Sequence, residues 1–154
     1  MDVTCITADM LKNLNITTVL TDIDNTLALP HDRIPFDFTS DWLESLRKEG
    51  IRIVAVSNNT EERAAKTCND MGLEYISRAA KPLGYKIRSA CDEKGISVES
   101  CVVVGDQIFT DVLCAKLLGV KSILVTPKVH EGDTLFKIKR ALERIILHDK
   151  EWCR

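Results

Sequence analysis

Ile16-Thr17-Thr18-Val19-Leu20-Thr21-Asp22-Ile23-Asp24-Asn25-Thr26 begins as a β-rich run and ends on two carboxylates spaced two residues apart. Successive side chains of a strand point to opposite faces, so residues 22 and 24 would share one and crowd their carboxylates. Like charges that close raise one another's pKa and resist joint ionisation unless a cation or a shared proton intervenes. Packing gives no reason to place such a pair at the end of a buried strand. A polar turn with an Asx-type bond from Asn25 is the plainer reading of the same residues.

Outward from this run, strands and helices alternate with short connections. A helical stretch over 8–14 precedes it. A helix over 39–48 carries Trp42, Leu43 and Leu46 on one face and closes at Gly50. Residues 51–57 are nearly continuously apolar, as in a strand buried on both faces of a parallel sheet. A helix over 60–71 has Glu61 and Glu62 in its first turn and Gly72 at its end. A strand over 73–76, a helix over 82–94, a strand over 101–104, a helix over 110–118 and a strand over 121–125 follow. A last helix is predicted over 134–147. Five strands separated by helices imply right-handed crossovers and a mostly parallel sheet covered on both faces: an α/β fold in three layers. With no repeat and no linker, residues 1–154 read as one domain.

Composition narrows the function. The chain of 154 residues is 45% hydrophobic and 29% charged, which excludes a disordered protein. Lys and Arg total 21 against 23 Asp and Glu, so no excess of positive charge points to nucleic acid. The apolar runs are too short for a transmembrane helix, and residues 1–15 lack the apolar core of a secretory signal. A cytosolic protein is expected. The six cysteines, at 5, 68, 91, 101, 114 and 153, form no CxxC pair and read as small hydrophobes in a reducing compartment.

In a parallel sheet, ligands bind beyond the carboxyl ends of the strands. Asp22 ends the first strand and Ser57 the second; Lys81 and Asp106 lie just beyond the third and fourth. In Gly105-Asp106-Gln107-Ile108-Phe109-Thr110-Asp111, Gly105 permits a tight exit from the strand, and Thr110 or Asp111 would start the next helix. A helix N-cap does not account for Asp106. Together with Asp22 it supplies the hard oxygen ligands that Mg²⁺ prefers, and Asp111 would orient them from behind. Ser57-Asn58-Asn59 and Lys81-Pro82 are ordinary turn residues when taken singly. Jointly they offer a hydroxyl, a backbone amide and an ammonium, which suit the oxygens of a phosphoryl group.

The DxDNT run at 22–26, Ser57, Lys81 and the GDxxxxD run at 105–111 resemble, in order, the four motifs of the haloacid dehalogenase superfamily. The stretches DIDNTLALP, SNNTEER, AAKP and GDQIFTDVLCAKLLG, with Trp42, are similar to the small subfamily IIIA phosphatases of the YqeG type, themselves similar to mitochondrial phosphatidylglycerophosphatase. Cys114 departs from the glycine expected in that subgroup. The resemblance implies a Rossmann-like phosphatase with Asp22 as nucleophile, forming an aspartyl-phosphate, and Asp24 as general acid and base. It implies Mg²⁺ held by the Asp22 carboxylate, the Asp24 carbonyl and Asp106, supported by Asp111. Ser57 and Lys81, with the amide of Asn58, would hold the phosphoryl oxygens.

Spacing adds a statement about the substrate. Asp24 and Ser57 are 33 residues apart, Ser57 and Lys81 24, and Lys81 and Asp106 25, which leaves no room for a cap domain. An open site suits a bulky phosphomonoester, and the resemblance points to phosphatidylglycerophosphate. The helix over 134–147 pairs an apolar stripe (Leu135, Ile138, Leu142, Ile145) with a basic face. Such a helix either docks on its own sheet or makes a peripheral contact with anionic lipid. Two other readings stand beside this one: a phosphatase of a soluble sugar, nucleotide or cofactor phosphate, and a non-catalytic scaffold. A phospho-accepting receiver module fails on the order of its acidic residues.

Overall fold

The computed structural model describes residues 2–30 and 34–129. The helix expected over 134–147, and with it His130, His148 and Cys153, lies outside the described residues, as do His31, Asp32 and Arg33.

Among the described residues five strands form one sheet: β1 (Thr18–Thr21), β2 (Arg52–Val56), β3 (Glu74–Ile76), β4 (Cys101–Gly105) and β5 (Lys121–Leu124). Their order is β3-β2-β1-β4-β5, and all four pairings are parallel. The mostly parallel sheet read from the sequence is therefore wholly parallel. β1 lies at the centre, with Val19 level with Ile53 on one side and Val102 on the other.

The alternation of side chains along the central strands divides the core in two. Val19, Ile53, Ala55, Val102 and Val104 face α1 (Ala8–Asn13), α2 (Thr39–Lys48) and α3 (Glu61–Asp70). Leu20, Val54, Val56 and Val103 face α4 (Tyr85–Glu93) and α5 (Leu113–Leu118). This arrangement follows from right-handed crossovers. The chain moves from β1 to β3 along one face, reverses direction, and reaches β4 and β5 along the other. α2 buries Trp42, Leu43 and Leu46, each worth about 1.5–3 kcal/mol relative to exposure. The Trp42 indole donates to the Ile6 carbonyl at 3.0 Å, tying the first residues to that helix.

Three element boundaries differ from expectation. β1 ends at Thr21, one residue before Asp22. α4 begins at Tyr85 rather than 82, because Arg78, Ala80 and Gly84 all hold left-handed φ and keep the segment around Lys81 out of a helix. The helix expected to start at 110 instead opens as a π-helical turn over Ile108–Val112 before α5.

Among the described residues each crossover between strands carries one α-helix, with no inserted domain. Nor is any of their helices long and apolar enough to cross a membrane. Cys68, Cys91, Cys101 and Cys114 are buried free thiols, as expected, and Cys5 is exposed.

Candidate active site

The carboxyl ends of β1, β2 and β4 open onto one edge. There Asp22, Ser57 and Asp106 are buried, together with Lys81 and Asp111. Lys81 Nζ donates to Asp22 Oδ1 at 2.5 Å and to Asp111 Oδ1 at 2.7 Å, so one ammonium bridges two carboxylates. Asp22, Asp106 and Asp111 each offer an oxygen within 4.8 Å of the others.

Three carboxylates around one ammonium leave an excess of negative charge in a dry place. Burial drives the Asp22 carboxyl well above the usual aspartate range against the pull of Lys81, and Asp111 and Asp106 push the same way. Lys81 shows the converse. Burial works against its ammonium, but Asp22 and Asp111 outweigh that and raise it above the ordinary lysine range. Asp22 Oδ2 is buried without a hydrogen-bond partner. An unpartnered buried oxygen beside two further carboxylates fits a hard divalent cation, which would hold the cluster ionised.

Local geometry explains how each group arrives. A Cβ at Gly105 would lie 2.3 Å from Asp111 Cγ, so only glycine lets that carboxylate fold back over the end of β4. The wide turn that follows aims Asp111 inward, where its Oδ2 accepts the Gln107 N–H at 3.2 Å. Asp111 is thus held inside the turn and is no N-cap. Asn58 uses its side chain differently from a phosphate ligand: Nδ2 donates to the Lys81 carbonyl at 3.0 Å, and Oδ1 accepts the Lys81 N–H at 2.7 Å. It clamps the peptide that carries the lysine.

Asp24 does not join the acidic cluster. Because β1 has already ended, residues 22 and 24 no longer alternate as in a strand, and the expected crowding is absent: Asp106 and Asp111 are the carboxylates that bear on Asp22. Asp24 Oδ2 instead accepts a hydrogen bond from Asn59 Nδ2 at 3.0 Å. In the sequence Asn59 reads as an ordinary turn residue. Asn25, in place of a local Asx bond, holds Val129, and its backbone is left-handed.

The haloacid dehalogenase-like hydrolase family model matches residues 8–119. The chain belongs to the haloacid dehalogenase-like hydrolases. Within that family it is similar to the protein described as "Probable phosphatase YqeG" of Bacillus subtilis, at 34% identity over 142 residues, 92% of this chain and 83% of that one. It is also similar to a phosphoglycolate phosphatase of Neisseria meningitidis, at 32% identity over 60% of this chain and 43% of the relative. A 4-nitrophenylphosphatase from Thermotoga maritima shares the fold, with a TM-score of 0.62 at 15% identity over 84% of this chain and 90% of the other. This haloacid dehalogenase-like hydrolase is accordingly a phosphatase of the YqeG type.

Proposed function

We propose that this phosphatase hydrolyses a bulky phosphomonoester, phosphatidylglycerophosphate first among them, through an aspartyl-phosphate on Asp22. The observation that carries the reading is the Asp22–Lys81–Asp111 bridge, with Asp22 Oδ2 left unpartnered at the end of the central strand.

The Asp22 carboxylate attacks phosphorus, and the ester oxygen departs with a proton from Asp24. Water then attacks the acylphosphate, Asp24 takes a proton from it, and inorganic phosphate and the Asp22 carboxylate are released. Lys81, Ser57 and the backbone amide of Asn58 hold the non-bridging oxygens, where fixed donors offset developing charge. Ser57 Oγ is already oriented by the Asn59 N–H at 3.1 Å. Mg²⁺, when bound, neutralises charge between the two anions. The Asp22 and Asp106 carboxylates and the Asp24 carbonyl would hold it, with Asp111 behind.

The substrate class rests on the open site and its apolar neighbours. Leu83 and Tyr85, two and four residues beyond Lys81, are 63% and 59% exposed, and Ile34 on the loop after β1 is 59% exposed. Exposed apolar side chains near a phosphate site favour a lipid phosphate presented at a surface. A protein working there would be cytoplasmic and peripheral to the membrane.

The test is phosphate release from phosphatidylglycerophosphate in mixed micelles beside soluble phosphomonoesters, with Mg²⁺, with EDTA, and with Asp22→Asn. Metal-dependent release selective for the lipid is expected. Preference for a soluble ester keeps the mechanism and overturns the lipid reading. Silence across the panel favours the scaffold.

A further inference from the structure

We infer that Asn59 is the positioning residue for the proton-transferring carboxylate of Asp24. The inference rests on the proposed role of Asp24. Asn59 follows β2 by three residues and sits where three strand-end segments meet. Its N–H donates to Ser57 Oγ at 3.1 Å, its carbonyl accepts the Arg78 N–H at 2.9 Å, and its side chain donates to Asp24 Oδ2 at 3.0 Å. The two backbone bonds tie it to the end of β2 and to the segment that leads to Lys81. They hold the side-chain amide on a rigid base, half-buried, and the amide then holds Asp24.

Asp24 needs such a partner. It lies beyond the end of β1, beside a left-handed residue, and among the described residues its carboxylate is held by the Asn59 amide. The ion pairs that lock Asp22 do not reach it. An amide N–H on Oδ2 stops rotation of the carboxyl about its own axis and leaves Oδ1 for the substrate. The proton would pass from Oδ1 to the ester oxygen in the first step and return from water in the second.

The three contacts separate cleanly in a variant. Asn59→Ala removes the side-chain amide and leaves both backbone bonds available, so the turn keeps its shape. The expected loss in kcat is about 10- to 100-fold, the scale of a misplaced but present catalytic group, with KM little changed. With p-nitrophenyl phosphate, whose leaving group departs without a proton, the first-turnover burst should persist while the steady-state rate falls. Asn59→Gln keeps the donor on a longer arm and should recover part of kcat. Asp24→Asn with Asn59→Ala should be no slower than Asp24→Asn alone, because the amide acts through the carboxyl.

A rise in KM at unchanged kcat would mean that Asn59 touches substrate and would overturn the inference. Burst and steady state falling together would do the same, since that pattern reports damage to the nucleophile's surroundings. Wild-type kcat in Asn59→Ala beside a stalled Asp24→Asn sinks this inference alone. Normal turnover in Asp24→Asn sinks the reading beneath it as well.

Discussion

Asn25 grips the peptide of Val129 from both sides, its Nδ2 donating to the carbonyl at 3.0 Å and its Oδ1 accepting the N–H at 2.9 Å. The bond pair spans 104 residues and ties the loop after the central strand to the chain beyond β5. Lys128 adds to the same seam, lying 4.8 Å over the Phe38 ring and paired with Asp2. Asn25→Gly keeps the left-handed backbone and removes only the grip. It should cost about 1–2 kcal/mol, seen as a fall of several degrees in Tm.

Gly105→Ala should be far more harmful than its size suggests. The added Cβ meets the Asp111 carboxylate and must displace it from Lys81. A loss of about 2–4 kcal/mol is expected, as for breaking a buried network, together with a large drop in phosphate release. A melt and an assay of one preparation check both.

Divalent cations should stabilise the protein, and more so at higher pH. The Asp22 carboxyl is raised above its unfolded value, chiefly by burial. In the absence of a cation its contribution is therefore full below the ordinary aspartate range and is lost as pH rises toward the raised value. Mg²⁺ at about 100 times its Kd should add about 2.7 kcal/mol, on the order of 5 °C or more in Tm. At one fixed Mg²⁺ concentration the gain should be larger at pH 8 than at pH 5 and should shrink in Asp106→Asn. Equal gains at both pH values would remove Asp22 from the metal site.

Thiol labelling should divide the cysteines by burial. Burial pushes the Cys68 thiol up to about 12 and that of Cys114 up to about 11, so neither forms thiolate at neutral pH. In the native protein Cys5 should react with a maleimide at once, while Cys68 and Cys114 react only on unfolding. Mass spectrometry of the peptides reads the difference.

The general plan was legible because parallel topology is a strong constraint. Once the apolar runs before Asp22, Ser57 and Asp106 are strands of one parallel sheet, their ends must share an edge. Lys81 followed from its place after the third strand. The unread parts depend on backbone angles and distant partners. The run ending at Asp22 and Asp24 reads as continuous strand, yet β1 closes at Thr21, its last ladder bond runs from the Asp22 N–H to the Val104 carbonyl at 2.8 Å, and the two carboxylates part beyond it. Asn58 and Asn59 are adjacent turn residues of one type, but one clamps a peptide 23 residues away and the other a carboxyl 35 residues back. Nothing local distinguishes them. The start of α4 is not legible in the sequence because left-handed φ at Arg78 and Ala80, unusual for residues with a Cβ, carries no compositional mark.

The π-helical turn over Ile108–Val112 makes chain length itself a determinant of this site. Such a turn holds one residue more than an α-helical one. Removing a residue from 108–110 would let the helix run on regularly from Gln107. It would also close the wide turn that now lets the Asp111 carboxylate fold back over Gly105 to reach Lys81. Substitutions within the turn, at Ile108, Phe109 or Thr110, alter a side chain and leave that aim intact. In this stretch, then, deletions and substitutions belong to different classes of damage, and relatives that align without a gap across 106–111 should carry the same irregular turn.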